Sequence, residues 1–276
     1  MSMDPNNPYA SSPVGGATPG YTGPSGSLDF GAAIKAPLNG EGAIVSILLS
    51  GLCLLFGCFI VPAMILFGYA YECAEQMIVS GGTHYLQFDT NRAGKYLARG
   101  WVPWVVALVF GIAVQCINYA VQFGVMGLMM AGGGQDAEQA NLVGSLVSIP
   151  VSLFINFLFY FVITPASLQA GLTQDIGKAF DFGWAFDFIS KMWKELLLCY
   201  VVTIGVGIVA YIAGLLMLCI GIIFGLAYLI LFSVMLQAQM YSIYLSRGGR
   251  PLPFKQDPTS MPTYGPGPGQ GSNPFI

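Results

Sequence analysis

Gln115, Asn118 and Gln122 stand three and four positions apart, so on a helix they share one face. Three amides inside an apolar stretch can line a solute path, coordinate an ion, or hydrogen-bond a neighbouring helix. The last use is the commoner one in membranes, at about 0.6–2 kcal/mol per bond. Asn156, Thr164, Gln169, Gln237 and Gln239 are the residues able to answer them from other apolar stretches.

Catalytic chemistry has little to work with. The single histidine, His84, sits in Gly-Gly-Thr-His without a second metal ligand at a useful spacing. The six cysteines, at 53, 58, 73, 116, 199 and 219, form no CxxC. No nucleophile-elbow, Walker or zinc-type spacing occurs. No acid or base lies in the core of an apolar stretch, which argues against a proton-coupled pump. The sequence therefore predicts no catalytic, cofactor-binding or metal-binding residue, and a protein that is not an enzyme.

Small residues suggest where helices meet. Gly207, Gly214 and Gly221 recur every seven positions, and Ala210–Gly214 and Gly221–Gly225 are spaced by four. Such spacing lets two backbones approach closely, either within one hairpin or between subunits.

The elements that carry these residues follow from where charge is missing. Among 276 residues, 55% are hydrophobic and 8% charged, with a net charge of −3. Soluble domains carry about 25% charged residues, and a nucleic-acid binder needs a basic patch. This chain has neither, which excludes nucleic acid as a partner. Residues 42–71, 100–135, 139–174 and 196–246 hold no Asp, Glu, Lys, Arg or His. A helix crosses the hydrocarbon core with about 20 apolar residues. The last stretch would be about 76 Å long as one helix, so it must reverse near Leu218–Gly221.

The expectation is an all-α, polytopic integral membrane helix bundle with five transmembrane helices: 43–71, 101–131, 142–171, 196–217 and 221–245. Continuously apolar runs favour helices over a barrel. Gly57 and Pro62 leave a second option for the first segment, a re-entrant pair. Residues 1–42 and 246–276 are rich in Pro and Gly and read as disordered tails. The N-terminal one lacks the charged-then-apolar pattern of a cleaved signal peptide.

Arg92, Lys95 and Arg99, then Lys178, Lys191 and Lys194, then Arg247, Arg250 and Lys255 flank alternate spans. The positive-inside rule puts these segments in the cytoplasm, with the C-terminus inside and the N-terminus outside. A shift of 92 positions superposes Phe88-Asp89 on Phe180-Asp181, Trp101 on Trp193 and Tyr119 on Tyr211, suggesting a parallel internal repeat. The second linker repeats Ile176, Phe180, Trp184, Phe188 and Met192 every fourth residue. With Asp181 and Trp193 it reads as an amphipathic helix lying in the headgroup layer, its aromatics turned to lipid. Arg92, Lys95 and Arg99 in the first linker can meet lipid phosphates or Glu72 and Glu75.

The runs GYAYECAEQMIVSGG, YLQFDT, GKYLARGWVPWVVAL and AFDFGWAFDFISKMWKELLLCYVVTIGVG resemble domain-of-unknown-function family four-zero-one-three, over about 42–246. The resemblance implies a multi-pass protein of a bacterial inner membrane and carries over no assigned activity and no catalytic residue. From the residues, the expected function is non-catalytic: membrane organisation, self-association or support of a partner complex. The expected partners are membrane lipid and a second copy or another membrane protein. A passive channel or facilitator for a small solute is the alternative.

Overall fold

A computed structural model describes residues 27–38, 42–56, 60–80, 86–131, 137–216 and 220–254. Within them the chain forms eight α-helices and no strand. They are α1 (Phe30–Lys35), α2 (Ala43–Leu55), α3 (Ile60–Ser80), α4 (Ala93–Ala131), α5 (Ala137–Thr173), α6 (Ile176–Ala179), α7 (Phe182–Leu216) and α8 (Ile220–Ser246). Four of them, α4, α5, α7 and α8, are long and apolar enough to cross a membrane; the bent pair Phe30–Leu38 and Ala43–Leu55 makes a fifth if it counts as one span. The protein is a multi-pass membrane helix bundle.

The described helices redraw the first segment. Residues 43–71 are not one continuous helix: α2 ends at Leu55 and α3 begins at Ile60, with 57–59 outside the described residues. Pro62 lies in the first turn of α3, where a missing N–H breaks no helical bond. Glu72 and Glu75 then make the second half of α3 polar.

The linkers also differ from expectation. α4 runs unbroken from Ala93 through the basic residues into the apolar stretch, 39 residues or about 58 Å long. Only the second linker keeps an angle to its span. α7 is interrupted at Met192, whose φ of −121° and ψ of 16° leave the helical region. Neither tail is wholly separate from the bundle. Ala33 is buried, and Leu28, Phe30, Leu252 and Phe254 pack on the core. These few apolar residues adjoin the helices and gain burial there, whereas 1–26 and 255–276 lie outside the described residues.

α8 is the axis of the fold. Of its apolar window 44% is buried, against 6% for α5. Leu128, Phe154, Val209 and Leu216 are exposed instead of buried, as expected of a surface solvated by lipid tails. Where α3 crosses α4 the two backbones are in direct contact. A Cβ on Gly68 would fall on the Tyr96 carbonyl, and one on Gly100 on the Met64 carbonyl. Only glycine lets these two backbones touch.

Candidate functional site: two linker clusters and an outward amide face

Each linker begins with an aspartate that caps a helix. Asp89 accepts from the Asn91 N–H at 2.9 Å. Asp181, its counterpart in the 92-residue shift, accepts from the Trp184 N–H at 3.2 Å. Both satisfy a donor that the first helical turn leaves free. Phe88-Asp89 and Phe180-Asp181 therefore do the same local work.

The first cluster forms where α3 meets α4. Tyr69, Phe88 and Tyr96 make a ring trio with centroids 4.9–5.6 Å apart. The Tyr69 hydroxyl donates to the Leu86 carbonyl at 2.8 Å, and the Phe88 N–H donates to Ser46 Oγ at 3.0 Å. Arg92 pairs with Glu72 and Arg99 with Glu75. Both glutamates are buried, and Arg99 also reaches the Gly171 carbonyl at 3.4 Å. Of the two partners open to Arg92 and Arg99 in the sequence, the carboxylates are the ones engaged. A buried pair of this kind holds two helices in one register, because removing either charge strands the other.

The second cluster ties α7, α8 and the segment after α8 together. Trp184 stacks on Phe188 at 5.2 Å, and Tyr244 lies 5.2 and 5.1 Å from them. Trp184 Nε1 donates to the Arg250 carbonyl at 2.9 Å. The Asp187 carboxylate receives the Tyr244 hydroxyl at 2.6 Å and the Lys191 ammonium at 3.0 Å. Those two donors hold the Asp187 carboxyl below its ordinary range. Arg247 pairs with Glu195, and Gly248, at φ +73°, turns the chain back over the linker.

This packing corrects the reading of an aromatic stripe turned to lipid. Trp184, Phe188 and Met192 are buried in protein against α8, and Phe180 is half-buried, stacked on Phe110 at 6.1 Å. The aromatics that point outward are Phe182, Phe186 and Trp193. Turned inward, the stripe packs on the rings of Tyr241 and Tyr244, and its Trp184 N–H finds the Arg250 carbonyl, an acceptor that lipid tails lack. Sequence periodicity finds the stripe and not its partner.

The glycines sit inside the α7–α8 hairpin. A Cβ on Gly207 would meet Leu229 at 3.7 Å, one on Gly214 would lie 2.6 Å from the Ile222 nitrogen, and one on Gly225 would lie 3.2 Å from the Ala210 carbonyl. Gly221 is buried. The amide face of α4 is placed otherwise. Gln115 and Gln122 are exposed, and Asn118 is half-buried with an enclosed, unpartnered Oδ1. The residues expected to answer them are engaged elsewhere. Asn156 and Thr164 bond back to their own helix, at Ser152 and Tyr160. Gln169 reaches the Asp181 carbonyl at 3.5 Å. Gln237 accepts from the Tyr71 hydroxyl at 3.0 Å. Gln239 exchanges two bonds with the Asp29 backbone, at 3.0 and 3.1 Å. Those last two pairings join residues more than 160 positions apart, and no local pattern announces them.

Among the described residues no three His, Cys, Asp or Glu side chains cluster as metal ligands; His84 lies outside them. A family model described as protein of unknown function (DUF4013) matches residues 51–219. No curated protein and no solved structure matches the chain.

Proposed function

The chain belongs to the DUF4013 family of proteins of unknown function, and from that premise we propose that it is a non-catalytic membrane protein that associates laterally, organising the membrane or supporting a complex. One observation carries the reading. Two of the three amides of α4, Gln115 and Gln122, look away from the helices of their own chain, and only Asn118 is half-buried. A path through one protomer would require them to converge on its interior. Groups placed on the outside serve a neighbour.

The proposed orientation rests on charge and on one contact. The basic linkers and the segment after α8 are proposed to lie in the cytoplasm, in a bacterial inner membrane. Asp29 is bound to Gln239, in the C-terminal third of α8. That contact favours an N-terminal tail on the same side as the C-terminus, in place of the opposite sides expected from five spans.

The test is reconstitution. The purified protein in vesicles is expected to pass none of a broad panel of small solutes and to migrate as an oligomer after crosslinking. Solute flux that disappears in Asn118→Leu would overturn the proposal in favour of a passive facilitator.

A further inference from the structure

The 92-residue shift compares two faces of the molecule. Residues matched by it share their surroundings: Trp101 and Trp193, Val109 and Val201, Ile112 and Ile204, and Tyr119 and Tyr211 are all exposed. Tyr96 and Phe188 are both buried. The same shift lays Gly111, Gln115, Asn118 and Gln122 on Thr203, Gly207, Ala210 and Gly214.

Here the two helices part. On α7 this face is covered by α8, with Leu229, Gly225 and Ile222 against Gly207, Ala210 and Gly214. On α4, α5 packs further round the helix, where Gly144 meets Val125. Gln115 and Gln122 are left exposed, and a Cβ on Gly111 would meet nothing within 4 Å. A shallow groove runs along the open face, lined by Leu108, Gly111, Ile112, Gln115 and Tyr119.

Depth decides what can fill it. Gln115 lies about 21 Å along the helix from Trp101. With Trp101 at the headgroup boundary, that distance falls within the roughly 30 Å hydrocarbon layer. Lipid tails offer an amide no donor and no acceptor.

We propose that the Gly111–Gln115–Gln122 face of α4 is the seam between two copies of this chain. The proposal rests on the lateral-association reading above and names its surface and its partner. Copies inserted the same way are related by a two-fold axis along the membrane normal, so a residue close to that axis meets its own counterpart. A glutamine carries both donor and acceptor, and two identical ones satisfy each other. The face holds no charge between Trp101 and Gln122 to repel its twin. Gly111 removes the side chain that would keep the backbones apart.

The experiment uses the full chain in native membranes, with its six cysteines changed to alanine. Leu108→Cys, on the seam, is expected to form a covalent dimer on copper-phenanthroline oxidation; Ile208→Cys, on the outward face of α7, is not. Gln115→Leu combined with Gln122→Leu is expected to weaken the dimer at least tenfold while helical content is kept. A dimer by mass that crosslinks at 208 and not at 108 overturns the seam and spares lateral association. A monomer by mass with no crosslink at either site overturns both. A crosslink from 108 to a different protein overturns the second copy as the occupant.

Discussion

The Tyr244 hydroxyl donates to the Asp187 carboxylate at 2.6 Å and accepts the Arg250 backbone N–H at 2.9 Å. One buried phenol thus joins α8 to the linker part of α7 and to the segment that follows α8. Arg250 follows six residues later, but Asp187 is 57 positions away, so that contact exists only once α7 and α8 have folded back on each other.

Tyr244→Phe keeps the ring contacts and removes both bonds. A buried group left without its partner costs about 1–3 kcal/mol. Thermal unfolding in detergent is expected to drop accordingly, and protease is expected to cut between 247 and 254 sooner than in wild type. Equal cutting rates would show that the phenol does not hold this segment.

The same carboxylate gives a pH dependence. Asp187 is held below its ordinary range by Tyr244 first and Lys191 second. A lowered folded pKa contributes stability that is complete above the unfolded value and is lost as pH falls through the folded one. Protection of 247–254 from protease should therefore fade below the normal aspartate range, and Asp187→Asn should abolish that acid step.

Gly68 and Gly100 admit no larger residue. Gly100→Leu must push α4 off α3, because its Cβ alone overlaps the Met64 carbonyl. The expected loss exceeds about 3 kcal/mol, at the upper end for single changes. Gly94→Ala, where a Cβ meets nothing within 4 Å, is expected to be neutral or to gain up to about 1 kcal/mol from helix propensity. Yield and melting temperature of the two variants check the contrast.

Arg99 and Glu75 are both nearly enclosed, with 11% and 8% of their side chains exposed. Arg99→Met should destabilise by about 3–5 kcal/mol, since it strands a buried carboxylate. Adding Glu75→Leu should recover most of the loss. A double variant as unstable as the single would mean that the pair is not what holds α3 to α4.

Ser27→Cys, in an otherwise cysteine-free chain, tests the side of the N-terminal segment. Impermeant maleimide is expected to label it in inside-out vesicles and not in intact cells. The reverse pattern would restore an N-terminus on the outer side.

The sequence by itself determined that this chain lives in a bilayer, and it determined the helical class and the basic linkers. Charge-free runs and clusters of Lys and Arg are local statements, and local statements are legible one residue at a time. The break between α2 and α3 was half legible, in Gly57 and Pro62. Only the tertiary structure decided that the Trp184–Phe188 stripe faces Tyr244, that the glycines serve the chain's own hairpin, and that Gln115 and Gln122 of α4 face outward while Asn118 is half-buried. A helix with an apolar stripe satisfies the same periodicity against lipid or against another helix. Which of the two it meets depends on residues 50 or 200 positions away, and packing alone brings those together.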